Sequence, residues 1–410
     1  MNSNKPTDRE LAGDAFAIVL AGGNGTRLGE LTRWQCKPAI SFAGHFRNID
    51  FTLSNCVNSG IRRIAVLTQY KAQSLITHLA AGWSFLPRSL GEFVEVWPAQ
   101  QRIHKSWYAG TADAVHQNLD LLAAQRKRYT LVLAGDHIYK MNYVHMLNRH
   151  AQSGADVTVA CVPVPREEAH AFGVLGVDRG QRVRSFIEKP APESFSGGQA
   201  TVLASMGVYV FTTDYLIERL IQDASLAESA HDFGRDILPS AVRSDHVGAF
   251  AFTQDDGAPA YWRDVGTVDA YWQAHMELLA LQPPIDLDDP AWPIMTSTES
   301  LPPARLLLDS SRRGSVSNSL LAGGVLVRGA QVSTSVLSSC VQVAEGSTIE
   351  QAVILPGARV GADCLLRRVI VDVGTRIPDG TVVAPDSGVT LLSGDPIPEA
   401  GSWAGLRSVA

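Results

Sequence analysis

Short apolar runs alternate with amphipathic segments through the first two thirds of the chain. Phe16–Leu20, Ile64–Thr68 and Leu131–Ala134 are apolar and end at turn-forming residues, as buried parallel strands do. Between the first two runs, apolar residues recur at helical spacing before Gly60, and a glycine there is a helix stop signal. This alternation predicts an α/β domain with a mostly parallel sheet, whose ligands bind at the carboxyl ends of the strands.

The pattern changes after residue 281. Six prolines fall between residues 282 and 310, which predicts a linker. Beyond it, apolar residues recur at every sixth position in three series: Val343, Ile349 and Leu355, then Ile354, Val360 and Leu366, then Val371, Ile377 and Val383. The frame shifts by one residue at Leu355. A six-residue period is typical of a parallel β-helix, which we favour over a set of ordinary short strands with turns. The predicted division is a flexible tail (1–14), an α/β domain (15–281), a Pro-rich linker (282–310), a β-helix (311–395) and a second tail (396–410).

The composition limits the classes of protein that fit this pattern. The 410 residues are 45% hydrophobic and 19% charged, with 35 Lys and Arg against 41 Asp and Glu, a net charge of −6. These values exclude a disordered chain, a coiled coil and a basic nucleic-acid binder. Any anion that this chain binds must be held by a few local cations, because the overall field repels it.

Cysteine usage and hydropathy indicate the compartment. The five cysteines are scattered without a Cys-x-x-Cys pair, so neither a disulfide framework nor a zinc site is supported. The N-terminal residues lack the apolar core of a signal peptide, and no apolar run reaches the ~18 residues of a membrane helix. We expect a cytoplasmic protein that binds neither membranes nor nucleic acids.

A glycine-rich loop from Leu20 to Arg27 follows the first predicted strand. Its glycines let backbone N–H groups approach a phosphate without interference from Cβ atoms, and Arg27 supplies a positive charge. The loop is not a Walker A loop, since no Gly-Lys-Ser/Thr closes it, and Leu28 stands where Gly-x-Gly-x-x-Gly has its third glycine. We therefore favour phosphate binding over a plain glycine-rich turn.

Two further segments carry groups that suit anionic ligands. Lys37 precedes a proline that fixes the chain. Thr111 is a candidate N-cap that follows Gly110, and the N–H groups of the helix that begins there could meet a base or a phosphate.

Carboxylates at the ends of strands suggest a metal site. Asp136 follows the third strand, where an acidic side chain is well placed to carry Mg²⁺ between phosphates, and Asp264 offers a second carboxylate. We interpret His137 as structural, because Mg²⁺ takes oxygen ligands. Asp232 is expected to be a helix N-cap or a hydroxyl acceptor. No motif for covalent catalysis occurs, so these parts suit phosphoryl or nucleotidyl transfer, in which positioning and charge neutralisation supply most of the catalysis.

Longer motifs carry a resemblance to a known family. They occur in order between residue 16 and about residue 275, and the main ones are LAGGNGTRL, FRNIDFTLSN, LAGDHIYKM, SMGVYVF, HDFGRDILP and YWRDVGTVDAYW. The first is shared by sugar nucleotidyltransferases generally, whereas the next four are much narrower. Together they resemble bacterial ADP-glucose pyrophosphorylases (glucose-1-phosphate adenylyltransferases).

The resemblance implies a Rossmann-like nucleotidyltransferase domain followed by a left-handed parallel β-helix of hexapeptide repeats. It implies that ATP and α-D-glucose 1-phosphate give ADP-glucose and pyrophosphate, for glycogen synthesis, with Mg²⁺ as cofactor, in a homotetramer. Arg27, Lys37 and Asp136 would be catalytic, and Asp136 and Asp264 would bind the metal. The residues around the adenine nucleotide would be Leu20, Ala21, Gly22, Gly23, Gly25, Thr26, Gln69, Gln100, Gly110, Thr111 and Ala112. Those around glucose 1-phosphate would be Tyr108, Gly173, Glu188, Lys189, Ser205, Tyr209, Asp232 and Trp262.

One segment departs from the family pattern. Many relatives carry basic residues that bind anionic effectors between Thr32 and Lys37, where this chain has Arg-Trp-Gln-Cys. Trp34 and Gln35 cannot bind a sugar bisphosphate by charge. The remaining candidate contacts for an anionic effector are Arg33, His45, Arg47, Arg367 and Arg368.

Two alternatives stay open beside the adenylyltransferase. One is a nucleotidyltransferase that uses another nucleotide, such as dTTP or UTP. The other is a non-catalytic regulatory subunit of the same family. Such subunits typically lose charged site residues, whereas Arg27, Lys37, Asp136, Lys189 and Asp264 are all present here.

Overall fold

The computed structural model describes residues 6–23, 25–100, 107–191, 200–254, 256–297, 299–307 and 314–394. Residues 1–5 of the first predicted tail and the whole of the second, 396–410, lie outside the described residues. The α-helices are α1 Asp8–Gly13, α2 Asn48–Asn58, α3 Gln73–Gly82, α4 Thr111–His116, α5 Leu119–Ala124, α6 Tyr143–Ser153, α7 Thr213–Ala224, α8 Leu238–Ser244 and α9 Val268–Glu277. The strands of the α/β domain are β1 Ala15–Leu20, β2 Ser41–Phe42, β3 Phe46–Arg47, β4 Arg63–Thr68, β5 Phe93–Pro98, β6 Tyr129–Ala134, β7 His137–Tyr139, β8 Val157–Pro165, β9 Gly173–Val177, β10 Val183–Glu188, β11 Thr201–Thr212, β12 Val247–Ala251 and β13 Trp262–Asp264.

The central sheet confirms the predicted parallel strands. Its order is β10-β9-β11-β6-β1-β4-β5, with β8 paired to β11 and β12 paired to β8. Strand β1 runs parallel to both β4 and β6, and β4 runs parallel to β5. Alternate residues of β1 enter two separate cores, since Ala17 and Val19 pack on one face and Phe16 and Ile18 on the other. Burial of both faces explains why this strand is continuously apolar.

The other half of the sheet is built differently. The long strand β11 is antiparallel to β6, β8 and β9. Its register with β8 shifts between Ser205 and Tyr209, around Gly207, whose φ of +67° favours glycine. The sheet is therefore mixed, and the irregular part of β11 lies beside the carboxyl end of β6.

The prediction of a flexible N-terminal tail is wrong for residues 8–13. These residues form α1, which begins with a capping box in which Thr7 and Glu10 bind each other's backbone N–H groups. Leu11 and Ala12 are buried in the same core as one face of β1. A short segment with a cap and two buried side chains is ordered by packing, although its composition looks like that of a tail.

The described residues 305–307 and 314–392 form the predicted parallel β-helix, in three five-stranded parallel sheets, as in left-handed hexapeptide β-helices. Its strands are β14 Arg305–Leu307, β15 Ser315–Ser317, β16 Leu320–Leu321, β17 Leu326–Arg328, β18 Gln331–Ser333, β19 Val336–Leu337, β20 Gln342–Val343, β21 Thr348–Glu350, β22 Val353–Ile354, β23 Arg359–Val360, β24 Leu365–Arg367, β25 Val369–Val371, β26 Arg376–Ile377, β27 Val382–Val383 and β28 Thr390–Leu392. Strand β14 pairs with β17, so the β-helix begins inside the segment 282–310 that the prolines assigned to the linker.

The frame shift in the sequence corresponds to coils shorter than three full six-residue repeats. Ile349 pairs with Leu366 and Ile354 with Val371, so these coils are 17 residues apart, and the earlier pair Leu326 and Gln342 is 16 apart. The missing residue falls after Ile349. Ile354, and not Leu355, therefore enters the core of the β-helix, which agrees with the one-residue frame shift that the sequence shows at Leu355.

The two domains share a third hydrophobic core. Leu355 and Ile370 of the β-helix pack with Phe42, Phe51 and Tyr271 of the α/β domain. At the edge of this core, the indole N–H of Trp272 donates to the backbone oxygen of Gln351 at 2.8 Å. The β-helix is thus docked on the α/β domain by apolar burial. Among the described helices, none is long and apolar enough to cross a membrane.

Candidate active site

A cleft opens at the carboxyl ends of β1 and β6, where the sequence placed the ligands. Its cavity volume of about 410 Å³ lies within the range of small-molecule sites. The predicted site residues that line it are Leu20, Gly22, Gly23, Gly25, Thr26, Arg27, Lys37, Thr111, Asp136, Glu188, Lys189, Tyr209, Asp232 and Asp264. Residues from distant parts of the chain therefore meet in one cavity.

The glycine-rich loop enters the cleft directly after β1. Gly25 has a φ of +56°, and a Cβ atom on it would lie 2.8 Å from the Thr32 side chain. The hydroxyl of Thr32 donates to the backbone oxygen of Gly25 at 3.0 Å. Two 3₁₀ turns follow over Thr26–Thr32, separated by Gly29 with a φ of +55°. A side chain at Gly25 would force this loop open.

Lys37 joins two carboxylates at the centre of the cleft. It lies on a 3₁₀ turn, Lys37–Ala39, in which Pro38 fixes the backbone. Its ammonium group is 3.0 Å from Oδ2 of Asp136 and also donates to Oδ1 of Asp264. Arg27 approaches Asp264 from the exposed side, with 3.9 Å between the guanidinium and the carboxylate. The cluster is a network of two cations and two anions.

The pKa values of this network follow from its burial and charges. Burial alone would raise the pKa of the Asp264 carboxyl, but the charges of Lys37, His137 and Arg27 outweigh it and hold this pKa at about 2. Burial likewise acts to lower the pKa of the Lys37 ammonium group, whereas Asp136 and Asp264 raise it above its ordinary value. Asp264 and Lys37 are therefore both charged at neutral pH.

Asp264 reaches this position through a small two-stranded sheet. Strand β13 pairs antiparallel with β7, and the register sets Asp264 opposite His137. Because His137 follows Asp136 in the chain, the same pairing brings the two carboxylates together. No local pattern in the sequence predicts this approach of two carboxylates that are 128 positions apart.

His137 lies beside the carboxylates rather than in a purely structural position. Its Nδ1–H donates to the backbone oxygen of Met206 at 3.0 Å, which leaves Nε2 facing the cleft. Nε2 is 3.6 Å from Asp136 and 3.9 Å from Asp264. Donor atoms of all three residues lie within 4.8 Å of one another, as a metal site requires. Our interpretation of His137 as structural is therefore incomplete.

Glu188 and Lys189 stand at the other end of the cleft, where β10 ends. Lys189 has a φ of +45°, and its ammonium group is 3.4 Å from the Glu188 carboxylate. Burial raises the pKa of Glu188 above its ordinary value, partly offset by the charge of Lys189. A Cβ atom at Gly234 would lie 2.5 Å from Oε2 of Glu188, and one at Gly173 would lie 2.8 Å from it. Both glycines thus make room for this carboxylate.

Asp232 confirms the expectation of an N-cap and hydroxyl acceptor. Its Oδ1 accepts the backbone N–H groups of Gly234 and Arg235 at 2.9 and 3.1 Å, at the start of a short π-helical turn, Phe233–Ile237. Its Oδ2 accepts the hydroxyl of Thr111 at 2.9 Å. The carboxylate is therefore fixed at the wall of the cleft.

The start of α4 differs from the prediction. The N-cap is Gly110 rather than Thr111. The N–H groups of Ala112 and Asp113 donate to the backbone oxygen of His231 at 2.8 and 3.2 Å. These donors are already used, so the prediction that they face a base or a phosphate is wrong for this conformation. The Gly110 position needs glycine because a Cβ atom there would overlap the His231 oxygen.

Several predicted residues lie behind or beside the cleft lining. Ser205 donates to the hydroxyl of Tyr209 at 3.4 Å. Trp262 packs edge-on against His137, and its buried indole nitrogen has no partner among the described residues. Gln69 donates to the backbone oxygen of Tyr108 at 3.4 Å. The others outside the lining are Ala21, Gln100, Tyr108, Gly110, Ala112 and Gly173. Their ligand contacts stay predictions.

The sequence reasoning missed a further group that lines the cleft. Its members are Pro38, Ala134, Gly207, Phe233, Gly234 and Gly266, and they lie there beside His137, which the sequence analysis interpreted as structural. Each stands within two residues of a predicted site residue. Their closeness in the chain to predicted site residues was the available signal. Most of them have no charged or polar side chain that would by itself have predicted a role in binding.

The first candidate effector contacts already have partners. Arg33 lies at the surface and forms a 3.0 Å ion pair with Glu30. The guanidinium of Arg47 donates to the backbone oxygens of Ala39 and Ser74 at 3.2 and 3.3 Å. Burial lowers the pKa of Arg47 from its ordinary value. Arg47 therefore supports the turn that carries Lys37.

The remaining effector candidates lie on two elements. His45 is exposed at the turn between β2 and β3. Arg367 is exposed at the end of β24. Arg368 donates to the backbone oxygen of Gly388 at 3.0 Å and lies over the ring of Trp272 at 5.2 Å. Arg368 is thus part of the contact between the two domains, and an effector role for these residues stays a prediction.

Comparison with family models agrees with both halves of the fold. Residues 16–280 match the model described as nucleotidyl transferase. Residues 302–389 match the model described as GlmU-like, C-terminal hexapeptide. Fold and site together define a nucleotidyltransferase that carries a hexapeptide β-helix.

Relatives that match over nearly the whole chain narrow the class. A glucose-1-phosphate adenylyltransferase of Paraburkholderia phytofirmans is 52% identical over 385 residues, covering 92% of each chain. The proteins of that name in Methylobacillus flagellatus and Nitrosococcus oceani are 54% and 51% identical, covering 90% and 92% of this chain and 88% and 90% of their own length. The chain belongs to the glucose-1-phosphate adenylyltransferase family.

Proposed function

We propose that this chain transfers the adenylyl group of ATP to α-D-glucose 1-phosphate, giving ADP-glucose and pyrophosphate for glycogen synthesis. The observation that carries the proposal is one cavity lined by the glycine-rich loop, the acidic pair Asp136 and Asp264, and Lys189. Relatives with about half of their residues identical carry the name of this activity.

The charges in the cleft suggest how the two substrates would be divided between its ends. Arg27 and Lys37 would neutralise the triphosphate, and N–H groups of the glycine-rich loop would add hydrogen-bond donors. Lys189 would bind the phosphate of glucose 1-phosphate. Glu188 and Asp232 would accept hydrogen bonds from sugar hydroxyls, because ionised carboxylates only accept.

The chemistry needs little beyond this placement. An oxygen of the sugar phosphate attacks the α-phosphorus of ATP in line, and the bond from that phosphorus to the β-phosphate oxygen breaks. Pyrophosphate leaves on the side of Arg27 and Lys37. The attacking phosphate is already ionised at pH 7, so no side chain has to remove a proton. Catalysis then rests on positioning and charge neutralisation.

The donor set fits a divalent cation. Asp136 and Asp264 provide carboxylate oxygens, which Mg²⁺ prefers, and their donor atoms and that of His137 lie within 4.8 Å of one another. We propose that the two carboxylates hold Mg²⁺. When bound, the ion would supply positive charge at the α-phosphate.

Assembly and regulation are part of the same proposal. We propose a cytoplasmic homotetramer, and an anionic metabolite as its effector. Exposed apolar side chains on the β-helix, such as Leu365 and Val382, support a further contact surface there. The pairing of Arg33 with Glu30 and the replacement of basic residues at Trp34 and Gln35 suggest that the effector contacts differ from those of many relatives.

The test is the release of pyrophosphate by the purified chain alone, with Mg²⁺ and a panel of nucleotides and sugar phosphates. We expect turnover with ATP and glucose 1-phosphate and a preference for this pair. A preference for dTTP or UTP would refute the choice of nucleotide. Absence of turnover with every pair would favour a non-catalytic subunit.

A further inference from the structure

A buried acidic side chain lies behind the sugar end of the cleft and outside the site described above. Asp223, at the end of α7, is 7% exposed. Its Oδ2 accepts Nδ1–H of His231 at 2.8 Å, and its Oδ1 accepts the hydroxyl of Ser229 at 2.7 Å. The Ser229 oxygen in turn accepts the backbone N–H of His231 at 2.9 Å. One carboxylate thus holds His231 both directly and through a serine.

His231 needs this support because its backbone is strained. Its φ is +54°, which is the left-handed region that a residue with a Cβ atom rarely adopts. Such a conformation persists only when surrounding contacts fix it. Here the contacts come from Asp223 and Ser229, neither of which lines the cleft.

The strained turn directs two groups toward the cleft. The backbone oxygen of His231 binds the N–H groups of Ala112 and Asp113 and so holds the start of α4. The next residue, Asp232, binds the Thr111 hydroxyl, and both Asp232 and Thr111 line the cleft. A change in the His231 backbone would therefore move the wall at which glucose 1-phosphate is proposed to bind.

We propose that Asp223 and His231 are a positioning pair. By fixing the His231 turn, they hold the start of α4 and Asp232 in place at the wall of the cleft, and so set the affinity for glucose 1-phosphate. Neither side chain is among the residues that line the cleft, so the pair acts through other residues rather than on the substrate. This inference rests on the proposed function for the identity of the sugar phosphate. The geometry of the pair does not depend on it.

The experiment compares Asp223→Ala and His231→Gly with a matched control, Asp245→Ala. Asp245 is also a partly buried carboxylate near α7. It binds Arg219 and Tyr215 at 2.7 and 2.8 Å and does not line the cleft. Steady-state kinetics, thermal unfolding and amide hydrogen exchange are measured for each variant.

We expect Asp223→Ala to raise the KM for glucose 1-phosphate about tenfold with a smaller change in kcat, and to speed amide exchange at Ala112 and Asp113. Asp245→Ala should lower the unfolding temperature without either effect. Glycine at position 231 removes the backbone strain but also the imidazole, so His231→Gly should raise the same KM.

A KM within twofold of the wild type in both variants would overturn the proposal, whatever the exchange rates. A wild-type KM in His231→Gly alone would also overturn it. That result would mean that the turn needs only a residue that tolerates a positive φ, and not the contact between the imidazole and Asp223. If the wild-type chain does not use glucose 1-phosphate, the proposed function fails separately. Amide exchange at Ala112 and Asp113 then tests the positioning role of the pair. Faster exchange in Asp223→Ala than in Asp245→Ala supports that role, and equal exchange overturns it.

Discussion

Removing the charge of Lys37 should destabilise the free protein. The ammonium group lies 3.0 Å from Asp136 and also binds Asp264, and the Lys37 and Asp264 side chains are only 10% and 14% exposed. Methionine has a similar length and no charge. In Lys37→Met the two carboxylates would face each other without the cation between them, and removing one partner of a buried pair is strongly unfavourable.

The magnitude follows from the distances and the pKa. Opposite charges 3.0 Å apart attract by about 5 kcal/mol at an effective dielectric constant of ~20, and the cost of burial offsets part of this. The net effect on one partner is visible in Asp264, whose pKa falls from 3.8 to about 2. That net change, to which His137 and Arg27 also contribute, corresponds to about 2 kcal/mol of folding free energy. We therefore expect Lys37→Met to lower the free energy of unfolding by about 3 kcal/mol at pH 7.

The stability lost in Lys37→Met should change with pH in a direction that the pKa of Asp264 determines. Because the pKa of Asp264 is lower in the folded protein, its contribution is complete above about pH 4 and is lost as the pH falls toward 2. Protonated carboxyls in the variant no longer repel each other. The difference in stability between the wild type and Lys37→Met should therefore be largest near neutral pH and shrink as the pH falls below 4.

The assay is thermal unfolding at several pH values, with Lys140→Met as a matched control. Lys140 is similarly buried, but it binds Asp289 at 3.4 Å, a carboxylate 34% exposed, so its loss should cost less than about 1 kcal/mol. The reasoning is refuted if both variants lose equal stability at pH 7. It is also refuted if the loss in Lys37→Met does not change with pH.

Three further outcomes test the site and the domain contact. Asp136→Ala should abolish turnover while circular dichroism shows an intact fold, since Lys37 keeps Asp264 as a partner; a near-normal kcat would contradict the metal assignment. Lys189→Ala should chiefly raise the KM for glucose 1-phosphate, and an unchanged KM would contradict its role. Leu355→Ala should cost about 2–5 kcal/mol in unfolding free energy, because this side chain is fully buried between the domains. Leu365, a leucine of the same β-helix, is 37% exposed, and Leu365→Ala should cost less; equal losses would argue against the docking.

The elements of the α/β domain could be predicted from the sequence because their signals are local. An apolar run that ends at a turn marks β1, β4 and β6, and Asp136 follows β6 directly. A helix near its stop signal, such as α2 before Gly60, is likewise encoded in consecutive residues. Site residues attached to such elements were found for the same reason.

Other features depend on contacts that no local pattern carries. Asp264 meets Asp136 only through the register of β13 on β7. The pairing of α4 with His231 depends on a backbone oxygen, which has no sequence signature. In each case tertiary packing, rather than propensity, decides the position.

The charges of the free cleft give a physical reason why a net-negative protein that binds the two proposed anionic substrates would need a divalent cation. The lining includes three cations, Arg27, Lys37 and Lys189, and four carboxylates, Asp136, Glu188, Asp232 and Asp264. Each cation already approaches a carboxylate. When a phosphate binds one of these cations, the carboxylate that was paired with the cation loses its partner. An unpaired carboxylate in a partly buried site is unfavourable. A divalent cation on the acidic pair removes that cost, so nucleotide and metal should each bind more tightly when the other is present.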